Sequence, residues 1–154
     1  MDAIGLCGTF GVGYEGQNLD VFISGLIARG TRTLIDIRLN PVSRKRGFSK
    51  RFLASSLAEA GITYWHFPEL GNPKWNRAGF AGPEPELRRA RGFYSCMIAG
   101  ESAQARLGEI ASAARTGGVA VMCFESDQEA CHRYVVLQEL QRRLDLAEVI
   151  VPQG

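Results

Sequence analysis

The run Val119-Ala-Val-Met-Cys123-Phe-Glu-Ser-Asp-Gln-Glu-Ala-Cys131-His-Arg133 decides how this chain is read. Its first five residues are apolar without a break, which suits a strand buried on both faces at the centre of a parallel sheet. Its end runs into a helix expected over Gln128 to Leu144, with Leu137, Leu140 and Leu144 on the buried stripe. Between strand and helix, two thiols, three carboxylates, an imidazole and a guanidinium crowd one turn. Parallel sheets bind ligands beyond the carboxyl ends of their strands, which is where this turn lies.

Working outward, Ile4 to Thr9 reads as a short buried strand followed by the glycine-rich turn Gly11 to Gly16. Leu19, Phe22, Ile23, Leu26 and Ile27 recur at helical spacing, with Asn18 as cap and Gly30 as stop. Thr33 to Ile37 is a second strand, and the compact βαβ spacing argues for parallel pairing. A helix through Phe52, Leu53, Leu57 and Ala60 closes at Gly61, and Ile62 to Phe67 alternates as a third strand. Pro68 to Pro85 is rich in Gly, Pro and Asn, and a loop of that length predicts a site loop or lid. Helices are expected over Glu86 to Ala99 and Ala103 to Arg115, and Glu148 to Val151 reads as a last strand. The expectation is therefore an α/β fold: one three-layer domain over 1–154, with a largely parallel sheet of about five strands and helices on both faces.

Bulk composition agrees with one globular domain, at 45% hydrophobic and 22% charged residues. No apolar run approaches the roughly 20 residues of a membrane span, and the first residues lack the order of a signal peptide, so a cytoplasmic location is expected. The four cysteines Cys7, Cys96, Cys123 and Cys131 are widely spaced, and free thiols are the expectation. Net charge is only +2, yet Arg38, Arg44, Lys45, Arg46, Lys50 and Arg51 fall in one stretch without an acid.

Cys123 near a helix start and an arginine has the setting of a nucleophile, with Glu125 or His132 to carry the proton. Alternatively, Cys123 is an inert strand thiol, Glu125 pairs with Arg133, and Cys131 packs as a small hydrophobe. Ser126 and Glu129 fit a capping box, which would aim free N–H groups at a ligand. Arg133 lies one turn before the buried stripe and would face an anion at the sheet edge. A metal site at Cys123, Cys131 and His132, with His66 as a further candidate, competes for these residues. Against it, adjacent Cys131 and His132 would leave a helix on different faces, and no Cys-x-x-Cys pair exists. A Cys123–Cys131 redox pair is the remaining use.

Gly11 to Gly16 formally meets the dinucleotide fingerprint, with Asp36 ending the next strand. The helix start at Asn18 lies well past the second glycine, which favours a turn lining the site over a pyrophosphate cradle. Asp36 and Arg38 share a strand face and can meet one ligand or each other. The basic stretch to Arg51 suits a phosphate or a nucleic-acid backbone, or is simply a solvated loop. Phe48 and Trp75 can stack on a base or pin their loops.

Tyr14-Glu-Gly16, Asp36-Ile-Arg38, Asn40-Pro41, Ser43-Arg-Lys45, Gly47-Phe-Ser-Lys50, Leu70-Gly-Asn-Pro-Lys74 and Cys123 to Arg133 occur in this order. In them the sequence resembles the prokaryotic domain of unknown function 488 family, over nearly the whole chain. The resemblance implies a small α/β protein with polar motifs at one sheet edge and assigns no reaction. The motif positions it marks are Tyr14, Glu15, Asp36, Arg38, Arg44, Cys123, Glu125, Cys131, His132 and Arg133.

The resulting expectation is an enzyme or binding protein for a phosphorylated small molecule, a nucleotide or a nucleic-acid end. Cys123, Glu125 and His132 would carry chemistry, and Tyr14, Glu15, Asp36, Arg38, Arg44 and Arg133 would hold the ligand. Cys131, His66, Asn72 and Trp75 are further candidates. No cofactor is assigned. The alternative is a non-catalytic nucleic-acid-binding accessory working through the basic loop 38–51.

Overall fold

The computed structural model describes residues 8–150. The elements are β1 (Thr9–Gly13), α1 (Leu19–Ala28), β2 (Thr31–Asp36), α2 (Lys50–Glu59), β3 (Thr63–His66), α3 (Arg77–Phe80), α4 (Glu86–Met97), α5 (Glu101–Ala114), β4 (Gly118–Cys123) and α6 (Arg133–Ile150). The fold is α/β, with a parallel sheet of four strands in the order β1-β4-β2-β3.

Strand β4 lies between β1 and β2 and is buried at every residue, as its unbroken apolar run requires. Alternate side chains feed two cores. Val119, Val121 and Cys123 join Ile35, Tyr94, Leu107, Ile110 and Val136 on the side of α4, α5 and α6. Ala120 and Met122 join Leu34, Phe22, Leu26, Leu53 and Leu57 on the side of α1 and α2. The carboxyl ends of β1, β4 and β2 thereby open onto one edge, with Tyr14, Phe124 and Ile37 as the first residues beyond them.

Three expectations change. The described residues hold four strands and not about five, because Glu148 to Ile150 continues α6 as helix; Val151 lies outside the described residues. Leu137, Leu140 and Leu144 begin an apolar periodicity that Asp145 does not stop, so the helix runs on. The first strand is Thr9–Gly13, and the part of the expected strand before Gly8 lies outside the described residues. Gly11 and Gly13 are consequently strand residues facing a close neighbour: a Cβ on Gly13 would coincide with the Glu125 carbonyl, and one on Gly11 with Gln128. Packing against the β4–α6 turn accounts for those glycines. The 68–85 segment is ordered by short 3₁₀ turns at Pro68–Leu70 and Lys74–Asn76 and by α3. Among the described residues no helix is long and apolar enough to cross a membrane.

Candidate functional site

A cavity of about 320 Å³ sits beyond the carboxyl ends of β1, β2 and β4. Cys123, Cys131 and His132 line it, together with Tyr14, Arg38, Arg44, Asn72, Glu125, Arg77 and Phe124. Four segments of the chain reach it: Tyr14 just after β1, the β4–α6 turn, the basic loop after β2, and the segment after β3.

Cys123 and Cys131 are joined by a disulfide that closes an eight-residue separation, which corrects the expectation of free thiols. Cys96 is free and exposed. The helix expected from Gln128 is interrupted: Gln128–Ala130 forms a 3₁₀ turn, Cys131 is extended at φ −133° and ψ 147°, and α6 starts only at Arg133. Asp127, and not Ser126, caps the turn by accepting from the Glu129 amide at 3.0 Å. The extended Cys131 brings its sulfur and the His132 ring to the same wall, where a continuous helix would have separated them.

His132 is buried, and its Nε2 lies 3.0 Å from the Ile37 carbonyl. A carbonyl only accepts, so Nε2 carries the proton and Nδ1 holds the lone pair. Nδ1 lies 3.7 Å from Cys131 Sγ. Burial, with Arg77 and Arg133 nearby, outweighs the Ile37 hydrogen bond and pushes the imidazole down to about 4, so the ring is neutral.

Arg133 is 1% exposed and does not line this cavity. It comes from behind, donating from Nη1 to Cys123 Sγ at 2.9 Å and from Nη2 to the Ser126 carbonyl at 3.3 Å. Its Nε has no partner, and it forms no ion pair among the described residues. Desolvation pulls its pKa down, with Glu125 and Asp127 acting against that from a distance. A buried cation thus faces a sulfur.

The Asp36–Arg38 pair resolves toward the two residues binding each other. The carboxylate is fully buried and accepts from Arg38 Nε at 2.9 Å and Nη2 at 2.8 Å. The Tyr64 hydroxyl donates to it at 2.5 Å, and Arg38 Nη1 donates to Tyr14 Oη at 3.0 Å. Desolvation lowers the Arg38 pKa, and the Asp36 carboxylate more than reverses it. Burial and the same carboxylate raise Tyr64. Arg38 therefore reaches the cavity already neutralised, whereas Arg44 is exposed and has no hydrogen bond or ion pair among the described residues.

The other candidates separate. Glu15 accepts from the Ser126 amide at 3.0 Å and so ties β1 to the β4–α6 turn outside the cavity. Asn72 is buried and accepts from Asn76 at 3.0 Å at the cavity edge. His66 lies elsewhere, with Nε2 2.8 Å from the Arg38 carbonyl and Nδ1 3.4 Å from Lys50 Nζ. Trp75 is 68% exposed, packs edge-on to Phe93 and does not line the cavity. Phe48 is fully buried, its ring stacked on Tyr14 at 4.4 Å, so it pins its loop and offers no face to a base. Arg77 and Phe124 were not singled out from the sequence. Arg77 is exposed on the cavity, its Nε donating to the Asn72 carbonyl at 3.1 Å. The signal for it was its place in the 68–85 segment.

No curated protein and no solved structure matches the chain. The model of a family described as Domain of unknown function DUF488 matches residues 18–140. That span holds every cavity residue except Tyr14. The matched residues include β2, β3, β4 and the cysteine turn, and the chain belongs to this DUF488 family.

Proposed function

We propose that the protein is an enzyme-like binding protein for a ligand carrying a phosphate group, such as a phosphorylated metabolite, a nucleotide or a nucleic-acid end. The ligand occupies the cavity above Cys123 and Cys131. One observation carries this reading: two guanidinium groups without acidic partners among the described residues, Arg44 and Arg77, line a cavity that a cysteine pair also lines. Guanidinium forks match phosphate oxygens, and an unpaired one has its donors to give. A volume of about 320 Å³ lies at the small end of ligand cavities and suits a nucleotide-sized molecule or less. Glu125 is the one carboxylate among the lining residues and is placed to move a proton. Tyr14, Arg38 and Asn72 shape the wall, and the sulfur pair is the reactive element.

The basic loop offers less to a nucleic-acid backbone than its composition promises. Arg38 is spent on Asp36, Lys45 Nζ donates to the Gln17 carbonyl at 2.8 Å, and Lys50 lies against His66. Calorimetric titration of the oxidised protein with pyrophosphate and nucleoside diphosphates tests the proposal. Each charge-assisted hydrogen bond contributes about 1.5–3 kcal/mol, so Arg44→Ala and Arg77→Ala should each weaken binding by about tenfold to a hundredfold. Affinity unchanged in both variants would remove the reading. Tight binding of single strands that collapses with salt, while indifferent to these two arginines, would favour the accessory role instead.

A further inference from the structure

We infer that, once the disulfide is reduced, Cys123 Sγ, Cys131 Sγ and His132 Nδ1 form a three-ligand site for a thiophilic divalent cation of the zinc class, its fourth position open to the cavity. The inference stands on donor geometry and is independent of whether the cavity takes a phosphate.

The three donor atoms lie within 4.8 Å of one another, and all three residues are buried. Zinc bonds of about 2.3 Å to sulfur and 2.0 Å to nitrogen set a sulfur–nitrogen edge of about 3.5 Å in a tetrahedron. The Cys131 Sγ to His132 Nδ1 distance is 3.7 Å. The same geometry asks two thiolates to stand about 3.8 Å apart. The Cα atoms of the two cysteines are 7.4 Å apart, so the backbone leaves their sulfurs room to part.

The surroundings fit as well. Metal-bound histidines usually donate their other ring N–H to a carbonyl or carboxylate, and here Nε2 meets the Ile37 carbonyl. Arg133 supplies a donor to Cys123 Sγ at 2.9 Å. A disulfide sulfur is an uncharged, weak acceptor for a buried guanidinium, whereas a thiolate on a metal is a charged one. Two thiolates and a neutral imidazole on a dication are neutral together, leaving Arg133 a polarised sulfur and no second cation to face. Three protein ligands with a fourth position toward a cavity match catalytic rather than structural zinc sites. The mixed sulfur and imidazole set selects zinc over magnesium or calcium.

Reduction adds two electrons and two protons and breaks the S–S bond to give two thiols. Ion binding then releases both thiol protons to solvent as two S–metal bonds form. The oxidised protein holds no thiolate at the site and should bind no ion there.

The test uses the full chain on a Cys7→Ser/Cys96→Ser background, with Co²⁺ as optical probe and Zn²⁺ as competitor. After reduction by a phosphine and its removal under inert gas, one equivalent of Co²⁺ should bind. It should give sulfur-to-cobalt charge transfer and the intense visible bands of a tetrahedral ion, both abolished by Zn²⁺. The oxidised protein should give neither. Cys131→Ser should lower affinity at least tenfold and weaken the charge-transfer band, and Arg133→Met should cost about tenfold to a hundredfold. Absence of thiolate bands in the reduced protein, or equal binding by the oxidised one, overturns the inference; that comparison needs no substitution at the site to fold. Such a failure would leave Cys123 as a free thiol in the same cavity. The phosphate titration, run on oxidised protein, would be unaffected.

Discussion

Gly13 is the residue where sequence and packing meet most tightly. Its missing Cβ is the space taken by the Glu125 carbonyl, while the Glu15 amide donates to the Phe124 carbonyl at 2.9 Å. These contacts lock β1 to the turn that carries the cysteines. Gly13→Ala should therefore cost about 1–3 kcal/mol or more by overpacking, measured as a lowered urea midpoint. The Asp36 carboxylate is equally decisive for the wall of the cavity. Asp36→Ala would leave the Arg38 guanidinium buried without its counter-charge and should cost about 3–5 kcal/mol, whereas Tyr64→Phe removes one hydrogen bond and should cost about 1–2 kcal/mol. Equal losses in the two variants, compared by equilibrium unfolding, would contradict this division. The sequence made the proximity of Asp36 and Arg38 legible, because residues two apart on a strand share a face. It could not reveal that Tyr64, from the neighbouring strand, completes the pair.

Among the elements, local periodicity specifies the structure where a single pattern holds and misleads where two overlap. β4 and α1 carry undivided signals, apolar continuity in one and helical spacing with an Asn cap in the other. Asn18 Oδ1 accepts from the Val21 amide at 2.9 Å, so Asn18→Ala should lower stability by about 0.5–2 kcal/mol, and Asn18→Asp should restore most of it in a thermal melt. The β4–α6 turn was harder. A capping-box pattern and a run of helix formers extend the apparent helix back to Gln128, but Cys131 adopts an extended conformation that starts α6 at Arg133. That one break is what sets Cys131 and His132 on the same wall. Adjacent Cys131 and His132 consequently do not diverge as they would on a helix, and this is the place where divergence would preclude a metal. Likewise, glycine spacing alone cannot separate a phosphate cradle from a strand crowded by its neighbour.

For the whole molecule, strand order β1-β4-β2-β3 brings distant segments to one edge: Tyr14, the loop after β2, the segment after β3 and the cysteine turn. The expectation that the chemistry-bearing loops share the carboxyl edge follows from parallel pairing, and most of the cavity wall was legible that way. Which cations stay available was not, because charge pairing such as Asp36 with Arg38 depends on the folded backbone. We propose that this edge binds a phosphate-bearing ligand through Arg44 and Arg77 over the cysteine pair. Thermal melting of the oxidised protein with a panel of nucleoside phosphates, sugar phosphates and pyrophosphate tests it most directly. At a hundredfold excess over Kd, a ligand adds about 2.7 kcal/mol, or roughly 5–10 °C in the midpoint of a chain this size. A rise of that order is expected for at least one panel member and is expected to be absent in the Arg44→Ala/Arg77→Ala double variant. No rise with any phosphate, or the same rise in the double variant, would contradict it.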